Sequence, residues 1–135
     1  MSTRDDEIPT SEEEEIIRLM RSKPEGFKDL LKEAIAKVSS VDNFRIWRDS
    51  RYSLLFHASM EDCLEAVEYL LERGADPSLC NDRGTCVAHL MGKKGQVEMA
   101  KKCYSKLAEG MGRKFVNGTT NVGKALFGLY RVWYF

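Results

Sequence analysis

Three groups of residues have the types and spacing that chemistry needs. The first is Gly118-Thr-Thr-Asn-Val-Gly123-Lys124-Ala125, which matches the Gly-x4-Gly-Lys of a phosphate-binding loop up to its last position. In such loops that position carries a Ser or Thr whose hydroxyl holds Mg²⁺, and Ala125 has no oxygen to offer. Lys114 to Asn117 before it make a weak strand, and ten residues follow Ala125, too few for the sheet that carries an NTPase site. A complete NTPase is not expected; 118–125 reads as a degenerate phosphate loop or a chance match. The second group is Cys80, Cys86, His89 and Cys103, zinc-type ligands within 24 residues. Structural zinc favours paired knuckles with two to four residues between ligands. Cys80-x5-Cys86-x2-His89 lacks that spacing, and Cys86 and Cys103 fall on apolar helix positions, so no metal and four free thiols are expected. The third group is His57 and His89, candidate general bases because an unperturbed imidazole titrates near neutrality. No Ser or Cys nucleophile stands in a fixed relation to either, so no catalytic residue and no cofactor are assigned.

The elements that position these residues are those of one ordinary domain. The chain has 135 residues, 43% hydrophobic and 31% charged, a composition that forms a packed core rather than disorder. The 21 basic and 21 acidic residues cancel, which removes any bulk field toward nucleic acid or an anionic membrane. The charge is nevertheless polarised. Residues 1–15 carry seven acids and one Arg, whereas residues 101–135 carry seven bases and one Glu. An acidic start is neither a secretory signal nor a transit peptide, and no window reaches the roughly 20 apolar residues of a membrane helix. A cytoplasmic or nuclear protein with no membrane partner is therefore expected.

Residues 1–10 read as a disordered acidic tail. Thr10 and Ser11 each precede a glutamate by three residues, the capping-box spacing, which predicts a helix over about 12–22 that Pro24 and Gly26 stop. Phe27, Leu30, Leu31, Ala34, Ile35 and Val38 then recur on one helical face. Residues 39–53 lose that period and read as an extended loop. A short helix from Ser53 to about Met60 is followed by one whose stripe is Leu64, Val67, Leu70 and Leu71, ending at Gly74 and Pro77. After the turn-forming Asn81-Asp82-Arg83-Gly84 come a short Cys86–Met91 segment, a Gly92–Gly95 turn, and a helix whose inner face is Val97, Ala100, Cys103, Tyr104 and Leu107.

The unit repeats itself. Asp49-Ser-Arg-Tyr-Ser-Leu-Leu-Phe-His57 lies on Asn81-Asp-Arg-Gly-Thr-Cys-Val-Ala-His89 without a gap, at an offset of 32 residues. That period and pattern resemble the ankyrin repeat, about 33 residues long with the start Asp-x-x-Gly-x-Thr-Pro-Leu-His. Leu70-Leu-Glu-Arg-Gly-Ala-Asp-Pro77 looks like the end of its second helix, Asn81, Gly84 and His89 keep its spacing, and Gly95-Gln-Val-Glu98 looks like its second-helix start. Leu54-Leu55-Phe56 and Cys86-Val87-Ala88 replace Thr-Pro-Leu, and Tyr52 stands where Gly is usual, departures of the kind that end repeats tolerate because one side faces solvent. The resemblance covers about residues 12–108. It implies an all-α, ankyrin-type stack of about three helix-turn-helix units with extended loops, 11–48, 49–80 and 81–108, followed by a basic, aromatic C-terminal extension, 109–135. It also implies that the two histidines are structural.

The function implied by the resemblance is non-enzymatic binding of a partner protein or peptide by a monomer. The loop tips and concave face of such stacks place Ser50, Arg51 and Ser53 in one repeat and Asp82, Arg83 and Thr85 in the next, joined by Lys93 and Lys94. Trp47 is an aromatic anchor in this reading, with packing inside the loop as the plainer alternative. No nucleic-acid partner is expected despite five aromatics among the last nine residues. That end reads instead as a short helix, residues 125–135, folding back over the last repeat. The competing class is a nucleotide-binding or regulatory fragment using 118–125.

Overall fold

The computed structural model describes residues 8–47 and 50–111, with side chains to residue 106. It is mostly helical, and its described residues fall into two compact units that meet in sequence between Ala75 and Asp76.

The first unit contains α1 (Ser11–Ser22), α2 (Phe27–Lys37), β1 (Arg45–Trp47), β2 (Ser50–Tyr52), α3 (Leu54–Met60) and α4 (Leu64–Glu72). Of the two possible caps the chain uses Thr10: its hydroxyl accepts from Glu13 N at 3.2 Å while its own N–H donates to Glu13 Oε1 at 2.8 Å. Thr10 thus belongs to the fold and not to the acidic tail in which composition placed it. Lys23, at φ 45°, ends α1 in the left-handed conformation, and Pro24 and Gly26 keep α2 separate. Helix α3 starts at Ser53, whose hydroxyl accepts from Phe56 N. Gly74, at φ +93°, terminates α4, a conformation that costs glycine little.

Neighbouring helices pack in like pairs. Within each hairpin α1 meets α2 and α3 meets α4; between hairpins α1 meets α3 and α2 meets α4. The apolar stripes read from the sequence form this core, with Leu31, Val67, Leu70 and Leu71 buried together with Ile16, Met20 and Phe56. Leu30 departs from its stripe and is 46% exposed.

The extended stretch before α3 is ordered as an antiparallel hairpin pairing Arg45 with Tyr52, Ile46 with Arg51 and Trp47 with Ser50. The stretch expected as an extended loop thus carries a small two-stranded sheet, and the fold is otherwise helical, in line with the expected class. Ile46, Trp47 and Tyr52 are residues that suit a pleated, half-buried surface.

The second unit contains α5 (Val87–Lys94) and α6 (Val97–Met111), packed on each other. Helix α5 runs on through Gly92 and both lysines to Gly95, the left-handed cap at φ +72°. Lys93 and Lys94 therefore occupy its last helical turn, where cations oppose the helix dipole, and not the inter-helix turn expected for them. The α6 face is also rotated from expectation. Met99, Ala100 and Cys103 are buried, while Val97 and Tyr104 are exposed.

Candidate functional site

Each unit presents a different kind of site. In the first, the hairpin is fastened to α1 and α3 by a polar and aromatic cluster. Arg45 Nε donates to both carboxylate oxygens of Glu13, at 3.0 and 3.2 Å, and the pair is largely withdrawn from water, with side-chain exposures of 16% and 4%. The same carboxylate closes the α1 capping box, so one group fixes both a helix start and a strand 32 residues away. Phe44 meets Phe56 edge-on at 5.6 Å, Trp47 meets His57 edge-on at 5.4 Å, and Tyr52 contacts both Phe56 and His57 at 5.8 Å.

His57 is buried in this cluster, and burial, with the Arg21 charge adding to it and Glu61 opposing, lowers its pKa to about 4. It is a neutral ring at neutral pH. The space beside it is a shallow recess of about 10 Å³, lined by Glu13, Asn43, Arg45, Tyr52, Leu54 and His57 among others. That holds one water at most. The imidazole thus acts as a packed ring against Trp47 and Tyr52. Trp47 is half-buried, with its ring edge-on to His57.

The loop-tip residues proposed for this unit divide. Ser50 and Ser53 are both buried, and Ser53 is committed to capping α3. Neither side chain is exposed in this structure. Arg51, between them on β2, is half-buried. Position in the repeat could not distinguish these cases, because a capping serine and a contacting serine look alike in sequence.

In the second unit the turn 81–84 is held from within. Asn81 N donates to Thr85 O at 3.0 Å, Gly84 N to Asn81 O at 2.9 Å, and Asn81 Oδ1 accepts from Arg83 N and Thr85 N at 3.0 and 3.1 Å. Gly84, at φ +75°, supplies the left-handed turn residue. Asp82 and Arg83 are left exposed at the tip, and Thr85 is half-buried at its base. His89 accepts from Cys86 N at 3.0 Å through Nδ1, so it braces the loop-to-helix junction. This is the structural role that the resemblance implied for it.

At the base of this turn Cys80 and Cys86 form an isolated antiparallel bridge and are joined as a disulfide. Only Cys63 and Cys103 are free, both buried. The expectation of four free thiols is corrected for this pair. The signal is present in the sequence: the two cysteines bracket the five residues Asn81 to Thr85, which contain the turn signature, and residues on either side of a hairpin turn face each other. Among the described residues no three His, Cys, Asp or Glu side chains converge as a metal site would require, and no helix is long and apolar enough to cross a membrane.

The phosphate-loop-like residues 118–125, the aromatic segment 125–135, most of the acidic tail and most of the C-terminal extension lie outside the described residues. Comparison with known proteins leaves the family open: no family model matches the chain, and no curated protein matches it significantly.

Proposed function

We propose that this chain is a non-enzymatic, ankyrin-type interaction module that binds a partner protein or peptide through its loop tips and concave face, as a monomer in the cytoplasm or nucleus. The observation that carries the reading is the like-on-like packing of the first unit, first helix on first helix and second on second, which is how helix-pair repeats bury faces that no single repeat can bury alone. Two further features support it. The Asp82/Arg83 tip is fixed by Asn81 while both charged side chains remain exposed. His57 and His89, the candidate bases, are occupied in packing and loop bracing. Within the second unit Arg83, Lys93 and Lys94 are exposed cations, so the favoured partner surface is acidic.

The test is capture of partners from cell extract by wild type and by an Arg83→Ala/Lys93→Ala/Lys94→Ala variant at two salt concentrations. A specific partner should be retained by wild type, lost with the variant, and weakened by salt, because exposed interface charges act over a Debye length of about 8 Å. A partner held equally by both proteins at both salts places the contact elsewhere. Thermal shift with Mg-ATP or Mg-GTP addresses the competing nucleotide-binding class. A ligand at 100 times its Kd adds about 2.7 kcal/mol, and a shift of that size would replace this reading with the other.

A further inference from the structure

The turn that carries Asp82 and Arg83 is closed at its base by sulfur and held within by hydrogen bonds. Cys80 and Cys86 face one another across the antiparallel bridge with Cα atoms 4.2 Å apart, so the fold itself brings the two sulfurs together. The hydrogen bonds that define the turn all run through Asn81, Gly84, Arg83 and Thr85 and include neither sulfur. The same turn is therefore available to the dithiol and to the disulfide. The two sulfurs also differ in access: Cys80 is half-buried and Cys86 wholly buried. Cys86 is the N-cap of α5, so its place is fixed by the helix start.

We propose that Cys80 and Cys86 are a reversible thiol–disulfide couple, oxidised by peroxide and reduced by glutathione, that sets the mobility of the 81–85 tip. In the oxidising direction the Cys80 thiolate attacks a peroxide oxygen. The O–O bond breaks, giving a sulfenic acid on Cys80 and a hydroxide that takes up the Cys80 proton as water. Cys86 sulfur then attacks Cys80 Sγ; the S–S bond forms, the S–O bond breaks, and the departing hydroxide leaves with the Cys86 proton as a second water. Two thiols have lost two electrons and one peroxide has gained them. In the reducing direction a glutathione thiolate attacks the accessible Cys80 Sγ. The Cys80–Cys86 bond breaks with its electron pair going to Cys86, which takes up the proton released when the attacking glutathione ionised. A second glutathione thiolate attacks the glutathione sulfur of the mixed disulfide, releasing Cys80 and glutathione disulfide. Cys63 and Cys103 serve as internal standards. Both are wholly buried, burial raises the pKa of each, and for Cys103 it reaches about 12. Neither supplies a reactive thiolate.

The full chain is equilibrated in glutathione buffers from reducing to oxidising, trapped with acid and N-ethylmaleimide, denatured, and mapped by peptide mass. Cys80 and Cys86 should lose their labels together, with the loss of two hydrogens in mass and full reversal by excess glutathione, while Cys63 and Cys103 are labelled throughout. Hydrogen exchange at the Arg83 and Thr85 amides should slow several-fold in the oxidised protein. Cys80→Ser should abolish both effects without altering far-ultraviolet circular dichroism. The proposal is overturned by four labelled thiols across the whole range, by a disulfide that includes Cys63 or Cys103, by a pair that glutathione does not reduce, or by exchange rates equal in the two states. None of these outcomes depends on whether the tip binds a partner.

Discussion

The two units hold their helices by different means. The first joins elements distant in sequence through charged side chains, one pair largely withdrawn from water and the others at the surface: Glu13 to Arg45, Arg21 to Glu61 at 2.9 Å, and Arg73 to the carbonyls of Ile35 and Val38 at the end of α2. The second relies on a local device, a loop six residues in span closed by Cys80 and Cys86, together with the small apolar contact of Ala88, Met91, Ala100 and Cys103. A disulfide on so short a loop contributes on the order of 2 kcal/mol through the unfolded chain, and it orders only what it encloses. Long-range pairs order the helices of the first unit against one another. The first unit should therefore be the more cooperative of the two, with its failure spreading widely, while damage to the second should stay local.

The largest expected effect tests that contrast directly. Leu70 is wholly buried between the helix pairs of the first unit, and Met91 wholly buried in the second. Leu70→Ala should cost about 3–5 kcal/mol and Met91→Ala about 2–4 kcal/mol, as cavities in cores that cannot fully collapse do. Hydrogen exchange should show protection lost across residues 11–75 in the first variant and across 76–106 in the second. Loss of protection throughout the chain in both variants would make the units one cooperative body and end the distinction.

Next in size is the buried ion pair. Glu13→Ala removes the capping box and leaves Arg45 largely withdrawn from water without its carboxylate. Removing one partner of such a pair costs more than the pair contributes, here about 2–4 kcal/mol. Adding Arg45→Met should recover part of that loss. If the double variant is no better than Glu13→Ala alone, capping rather than charge burial carries the effect.

Acid should act on the first unit at a comparable scale. The folded protein holds His57 at a pKa of about 4, well below the 6.5 of an unfolded histidine. Between those values the unfolded chain binds a proton that the folded chain refuses, so stability is full above pH 6.5 and falls as the pH drops toward 4, by roughly 3 kcal/mol at most. Denaturant midpoints measured from pH 7.5 to 4.5 should show this slope in wild type and a shallower one in His57→Phe. Equal slopes would assign the acid sensitivity to carboxylates.

How much of this was legible in sequence follows from the range of the interaction. The Thr10 cap, the Gly74 ending and the Leu70/Leu71 stripe are set within a turn or two, and the residue pattern displays them. The Asn81 turn is equally local. By contrast, whether Val97 and Tyr104 or Met99 join Ala100 and Cys103 on the buried face of α6 depends on one helix's rotation against another, and a stripe two residues wide fits both. The Glu13–Arg45 pair was invisible because each residue has an ordinary surface reading: a first-turn glutamate suits a helix dipole, and an arginine in a loop needs no partner. Ser50 and Ser53 show the reverse case. Their positions in the pattern suggest exposed tips, whereas the hairpin lies against α3 through the aromatic contacts of Phe44, Tyr52 and Phe56, and both serines are buried.

The smallest expected effect refines the account of the first unit. Arg73 Nη1 donates to Ile35 O at 2.8 Å and Nη2 to Val38 O at 3.2 Å. These carbonyls lie where α2 ends in extended backbone, and a helix C-terminus leaves carbonyls that need donors and carries partial negative charge. A guanidinium reaching from the end of α4 supplies both the donors and the charge, so it ties the ends of two second helices that the sequence separates by 38 residues. The group is exposed, and water can replace it at modest cost. Arg73→Ala should therefore lower stability by only about 1–2 kcal/mol. Arg73→Lys should recover less than half of that, because an ammonium cannot span two carbonyls as the planar fork does. Exchange of amides in the last turn of α2 should rise in both variants while α1 is unaffected. Full rescue by lysine would reduce the contact to a charge near a helix end, and an unchanged α2 terminus would remove Arg73 from the long-range ties that distinguish this unit from the disulfide-closed one.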